Sequence, residues 1–251
     1  NKCIMCRRCE TMCNEVQKVG ALSAVSRGFE AVIQPAFESP LAQTKCVNCG
    51  QCVAVCPTGA LMQKDAVWEV VDALSDPEKT VIVQTAPSVR VAIGEPFGME
   101  AGSIATGKMA TALRMVGFDQ VYDTDFSADL TIMEEGTELL QRLNKFLAGE
   151  ETHLPIMTSC CPAWVNYYET QFSDMLDYPS TARSPQQMFG SVAKNYMAEK
   201  LGVSRDKLVL VSVMPCLAKK TEASREEFSV DGNRDVDIVL STRELAKLIK
   251  L

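Results

Sequence analysis

The sequence predicts two kinds of domain in one chain: a small α+β domain organised by cysteines over residues 1–62, and an α/β domain with a parallel sheet over residues 63–251. Three observations carry this. Eight of the eleven cysteines fall in the first 56 residues, in two copies of one spaced run. After the turn Asp76-Pro77-Glu78-Lys79, strand and helix signals alternate, the pattern of a parallel sheet covered by helices. One apolar run, Leu154-Pro155-Ile156-Met157, ends in Thr158-Ser159-Cys160-Cys161-Pro162-Ala163-Trp164. It reads as a buried parallel strand that delivers two thiols to the carboxyl edge of a sheet, where α/β proteins place ligands.

Composition narrows the function classes. With 47% hydrophobic and 23% charged residues the chain has material for a sizeable core. Its net charge of −7 leaves no basic surplus to neutralise phosphates, so nucleic acid is not expected as a partner. No apolar run reaches the ~18 residues that a membrane span needs. No signal peptide is visible, so the cytoplasm is the expected location. An odd number of cysteines, clustered, points to metal rather than to a disulfide framework. The first cysteine stands two residues after Asn1, which leads us to expect a piece of a longer chain.

Cys3-x2-Cys6-x2-Cys9-x3-Cys13 is followed 43 residues later by Cys46-x2-Cys49-x2-Cys52-x3-Cys56-Pro57. Three thiolates two residues apart wrap one cluster in a tight loop, and the fourth, on the helix that follows, reaches the other cluster. Two [4Fe–4S] clusters are therefore expected, one on Cys3, Cys6, Cys9 and Cys56, the other on Cys46, Cys49, Cys52 and Cys13. Zinc sites use two Cys-x-x-Cys pairs across a longer gap, not triplets. Asn14 stands where the second run has Pro57. Residues 14–45 are expected to form a helix and a small hairpin.

Residues 64–76 are amphipathic, with Val67, Val70, Val71 and Leu74 on one face, and Trp68 is expected to pack between the domains. Strands are expected at Val81–Val83, Gln120–Tyr122, Leu208–Val213 and Val236–Leu240. Helices are expected over Thr106–Val116, Asp129–Leu147 and Pro185–Leu201, from Pro162, and from Thr242. Gly102-Ser-Ile-Ala-Thr-Gly107-Lys108-Met109 falls short of a phosphate-binding loop, because Met109 stands where a hydroxyl must hold Mg²⁺. The only histidine, His153, is expected in a surface turn.

Two stretches, Thr158-Ser-Cys160-Cys161-Pro162-Ala-Trp164 and Met214-Pro215-Cys216-Leu-Ala-Lys219-Lys220-Thr-Glu222, resemble the first and second signature motifs of the [FeFe]-hydrogenase catalytic domain. Ala86-Pro87-Ser88-Val89-Arg90 and Ser184-Pro185-Gln186-Gln187 match other parts of it. The cysteine repeat is similar to the family's two-cluster accessory domain. The resemblance implies an α+β two-cluster ferredoxin-like domain followed by part of the catalytic α/β domain with parallel sheet, nearest to NAD(P)-linked or electron-bifurcating enzymes. It implies reversible reduction of protons to H2 at an H-cluster, a [4Fe–4S] cubane joined to a di-iron unit with CO, cyanide and azadithiolate.

By the same resemblance, Cys161 and Cys216 hold the cubane and Cys160 is the proton donor beside the di-iron unit. A thiol suits that role because its pKa allows exchange near neutrality. Lys219 would hydrogen-bond a cyanide, and Pro87, Ser88, Gln186 and Met214 would line the pocket. Glu135, Ser180, Glu138 and Arg142 would connect Cys160 to the surface, with Glu134, about 100° away around the helix, an ordinary surface residue. The expected partner is a ferredoxin or an NAD(P)H-oxidising flavoprotein subunit, in a hetero-oligomer. The third signature motif, with two more cubane thiolates, is not in the sequence, so it is expected beyond Leu251. The alternative is a non-enzymatic iron–sulfur relative, in assembly or electron-transfer docking, which has no need of Cys160 or the glutamate pair.

Overall fold

The computed structural model describes residues 2–251. The chain divides into two compact units. The first comprises residues up to Lys64 together with Pro162–Leu176 and Cys216–Ala218, and the second holds the remainder.

In the first unit regular structure is short. Helix α1 (Arg8–Thr11) runs into a π-turn at Met12–Val16, β1 (Ser23–Val25) pairs antiparallel with β2 (Val32–Gln34), and α2 is Gln51–Ala54. The expected hairpin is present. The expected helix after Cys13 is only the π-turn, because Val19, Ala21 and Leu22 must turn inward at once. Asn14 helps to close that turn by donating to the Leu22 carbonyl at 3.0 Å. Gly50 opens α2 in the left-handed region, φ 74°, where a Cβ would also run into the Leu217 side chain.

The second unit follows the predicted alternation closely. Helix α3 (Val67–Ser75) buries Val67, Val70 and Ala73 and leads to β3 (Thr80–Thr85). Then come α4 (Thr106–Val116), β4 (Gln120–Asp123) and the long α5 (Asp125–Leu147). Helix α6 (Pro162–Gln171) belongs to the first unit. The chain continues through α7 (Pro185–Val192), a π-turn at Ala193–Met197 and α8 (Ala198–Leu201), so the expected single helix carries a bulge. It ends with β5 (Leu208–Val213), α9 (Ala218–Glu222), the small ribbon β6 (Ser229–Val230) and β7 (Asn233–Arg234), β8 (Ile238–Leu240) and α10 (Thr242–Lys250).

The sheet order is β4-β3-β5-β8, parallel throughout, with Thr85 level with both Asp123 and Val213, and Val213 level with Leu240. Every residue of β5 is buried, and all but Ser212 are apolar, the near-continuous run expected of a strand covered on both faces. The Gln84 side chain is fully buried in the sheet, and its amide is satisfied. It donates to Ser212 Oγ (2.6 Å) and the Gln186 carbonyl (3.1 Å) and accepts from Thr124 Oγ1 (3.1 Å). Helix α7 comes close to the backbone before β8: at Gly190 a Cβ would stand 2.8 Å from the Asp235 carbonyl oxygen.

Two expectations fail. Leu154–Met157 is not a strand of the sheet; Met157 makes a single parallel bridge to Pro179. Pro155 has no N–H to give a ladder, and none of the four residues is buried. Trp68 is 58% exposed rather than packed, since α3 turns Val67 and Val70 inward instead.

Candidate functional site

The cysteines of the first unit sort into two groups. Cys13, Cys46, Cys49 and Cys52 line one enclosed hollow, closed by Val19, Ala21 and Val47. Burial pushes the Cys52 thiol up to about 11, and the nearby Cys46, Cys49 and Cys13 add to the rise. Cys46 is raised chiefly by burial and further by Cys49 and Cys13. Cys9 is likewise raised, by burial and then by Cys6 and Cys3. Cys6 and Cys56 share a second, open hollow. Cys56 is drawn down to about 7, first by the Leu61 and Thr58 backbone N–H groups. Thiols that disfavour one another's ionisation need a cation among them, and backbone N–H groups aimed at sulfur fit an iron–sulfur cluster. The donor set therefore fits iron–sulfur clusters, with Cys13 beside Cys46, Cys49 and Cys52, and Cys56 beside Cys6. Among the described residues no three His, Cys, Asp or Glu side chains converge on a single ion.

In the second unit the strand order reverses between β3 and β5, the switch point at which open α/β sheets bind ligands. Pro87 and Ser88 follow the carboxyl end of β3, and Met214 follows β5, so adjacent strand ends carry three of the predicted pocket residues. The Ala86 N–H donates to the Val213 carbonyl and Met214 N–H to the Leu240 carbonyl, which continues the ladder past the strands. Pro87 and Ser88 are exposed, while Met214 and Gln186 are buried.

Gln186 lies in the first turn of α7, capped by Ser184. Its amide nitrogen donates to Glu222 (2.9 Å) and to the Lys219 carbonyl (3.2 Å). The Lys219 ammonium donates to both Glu222 oxygens (3.2 and 3.0 Å) and to the Cys160 carbonyl (2.8 Å). The Gln186 amide oxygen and both amide atoms of Gln187 are buried without a protein partner, polar groups left for something further to meet. Cys160 and Cys161 are both exposed, and Cys216 is half-buried.

Of the residues expected to connect Cys160 to the surface, the structure brings Ser180, Glu138 and Arg142 together. Ser180 Oγ donates to Glu138 at 2.9 Å, and Thr181 adds its N–H (3.1 Å) and hydroxyl (3.2 Å) to the same oxygen. Arg142 holds the other oxygen at 2.6 and 3.1 Å. Arg142 is itself fixed by the carbonyls of His153, Asp177, Tyr178 and Pro179. Burial would raise the Glu138 carboxyl, but the hydrogen bonds from Ser180, Arg142 and Thr181 outweigh it and hold the group below the usual carboxylate range. Ser159 Oγ ties the Cys160 loop to the Ser180 and Ala182 carbonyls at 3.3 and 3.0 Å. Glu135 is half-buried one turn before Glu138, and Glu134 is exposed. His153, expected at the surface, is half-buried with its ring edge-on to Tyr178.

Sequence reasoning quoted Glu222 without a role and did not single out Thr181. The spacing of Glu222, three residues after Lys219 on one helical face, was the available signal. Thr181 had none, since its contact to Glu138 spans 43 residues.

Residues 79–251 match the iron only hydrogenase large subunit, C-terminal domain, and residues 2–64 match the 4Fe-4S dicluster domain. The chain is 68% identical over its whole length to the NADP-reducing hydrogenase subunit HndD of Solidesulfovibrio fructosivorans, of which it spans 43%. It is 44% identical over 249 residues, 99% of its length, to iron hydrogenase 1 of Clostridium pasteurianum, spanning 42% of that protein. An apo [FeFe]-hydrogenase HydA1 variant from Chlamydomonas reinhardtii superposes with a TM-score of 0.69 and 43% identity, covering 74% of this chain and 48% of that one. The chain thus spans less than half the length of these relatives. With both of its parts matched in order along the sequence, it belongs to the iron-only hydrogenase large-subunit family.

Proposed function

We propose that this chain is part of a hydrogenase catalytic subunit that interconverts protons and H2. Electrons arrive through the two [4Fe–4S] clusters of the first unit. When bound, the H-cluster supplies the metal site at which electrons and protons combine. Cys161 and Cys216 would furnish two of its cubane thiolates, with Pro87, Ser88, Gln186 and Met214 lining the pocket. Lys219 would offer its ammonium to a cyanide. The partner we propose is a ferredoxin or an NAD(P)H-oxidising flavoprotein subunit, in a hetero-oligomer. No helix among the described residues is long and apolar enough to cross a membrane.

The observation that carries this reading is the Ser180–Glu138–Arg142 network, joined through Ser159 to the loop of Cys160. Glu138 is held as a carboxylate by Ser180, Thr181 and Arg142, so in a relay it would bind a proton only in passing. Return of that proton along Ser180 and Glu135 to the Cys160 thiol would complete the relay. Cys160 Sγ then carries the last exchange, and a thiol reprotonates readily near neutral pH.

The test is iron stoichiometry with infrared spectroscopy of the matured full-length subunit. Bands in the CO and cyanide stretching region and H2 turnover are expected. Cys160→Ala should abolish turnover while both N-terminal clusters keep their electron paramagnetic resonance signals. Unchanged H2 evolution in that variant would refute the relay.

A further inference from the structure

We infer that Glu222 is a positioning residue that aims Lys219 and, through it, holds the Cys160 loop. This rests on the proposed role of Lys219 beside the di-iron unit. Glu222 is 4% exposed and Lys219 half-buried, so this is an ion pair away from bulk water. Removing water from an ammonium and a carboxylate is costly, and such a pair persists only where further hydrogen bonds complete it. Here they do. The two Glu222 oxygens accept three bonds, two from Lys219 and one from Gln186. The third bond of Lys219 goes to the Cys160 carbonyl.

The geometry makes Glu222 the hub between three pieces of chain: α7 through Gln186, its own helix α9 through Lys219, and the loop that bears Cys160. A lysine has a flexible four-carbon stem and three rotatable donors, so nothing in the residue itself fixes its direction. A carboxylate one helical turn away, held on its far side by a buried amide, does. Both Glu222 oxygens face donors, so a glutamine there would turn an N–H₂ toward either Lys219 or Gln186. A carboxylate is the side chain that satisfies both.

The test uses the full-length subunit in two states. In matured protein, Glu222→Ala should move the cyanide stretching bands in the same direction as Lys219→Ala, and the double variant should move them no further, because the two residues act as one unit. Glu222→Asp, which keeps the charge, should fall between wild type and Glu222→Ala. In the metal-free protein, alkylation at Cys160, mapped by mass spectrometry, should accelerate several-fold in both Glu222→Ala and Lys219→Ala. Bands that move in Lys219→Ala but not in Glu222→Ala, with alkylation unchanged, overturn the positioning role and leave the proposed function standing. Bands unmoved in Lys219→Ala sink the placement of Lys219 itself. Loss of iron or of melting temperature in Glu222→Ala, with bands and alkylation as in wild type, assigns Glu222 a purely structural part and also overturns the inference.

Discussion

The two units of this chain are held together by different physics. The second has a parallel sheet whose inner strands β3 and β5 are buried on both faces, and a single large cluster of apolar side chains around Ile82, Phe189, Leu210 and Leu240. The first has a buried apolar cluster of only Val19, Ala21 and Val47, and its longest α-helix before residue 64 has four residues. Among the described residues, seven of the eight non-glycine residues with positive φ lie in the first unit: Met5, Arg7, Lys18, Ser26, Phe37, Glu38 and Asn48. Left-handed backbone at such residues is unfavourable, and a core that small does not offset it. The expectation is that cluster binding contributes much of the folding free energy of the first unit. The second unit would fold on ordinary hydrophobic burial.

The sharpest way to break this contrast is to remove the iron. Chelation should strip protection from residues 2–64 in hydrogen exchange while β3 and β5 stay protected, and uniform loss across both units would sink it. Next in size is a core truncation. Leu210→Ala, at a fully buried position, should cost about 2–5 kcal/mol in denaturant unfolding. Val47→Ala in the cluster-loaded first unit should cost well under that, and equal costs would mean that packing, not metal, holds both.

Glu138→Gln sharpens the comparison inside the second unit, where the role proposed for a polar network is proton transfer. It should slow H2 turnover by roughly 10²-fold or more, the range of a lost proton-transfer group, with iron content unchanged. The accompanying stability loss should be about 1–3 kcal/mol, since Arg142 keeps its four carbonyl partners. An iron loss would reassign Glu138 as structural. The smallest expected effect is its pH dependence. The carboxyl is held below its unfolded value, so its stabilisation is full above the ordinary glutamate pKa, about 4.3, and is lost as pH falls through the folded one. The stability gap between wild type and Glu138→Gln should therefore be constant near neutrality and close in acid. A gap that widened on acidification would contradict the hydrogen-bond assignment.

Much of this was legible beforehand. The strands at Val81–Val83 and Leu208–Val213 announced themselves as short apolar runs, and the helices at Thr106–Val116 and from Thr242 were expected where they stand. Leu154–Met157 misled for the same reason: apolarity alone does not distinguish a sheet strand from a bracing loop, and Pro155 was the warning. In the site, Cys160, Glu138 and Lys219 were visible through their motifs and spacing. Thr181, which shares the Glu138 oxygen with Ser180, was not, nor was the role of Glu222.

By itself the sequence determined what is local: which residues are thiols, how they are spaced, which segments are strand or helix, and which pair faces one side of a helix. These follow from covalent spacing and from periods of two and 3.6 residues, which are written along the chain. Only the tertiary structure decided which groups meet. Ser180 reaches Glu138 across 42 residues, and Gln186 reaches Glu222 across 36. The order of four strands and the packing of α7 bring those groups together, and no local pattern encodes either.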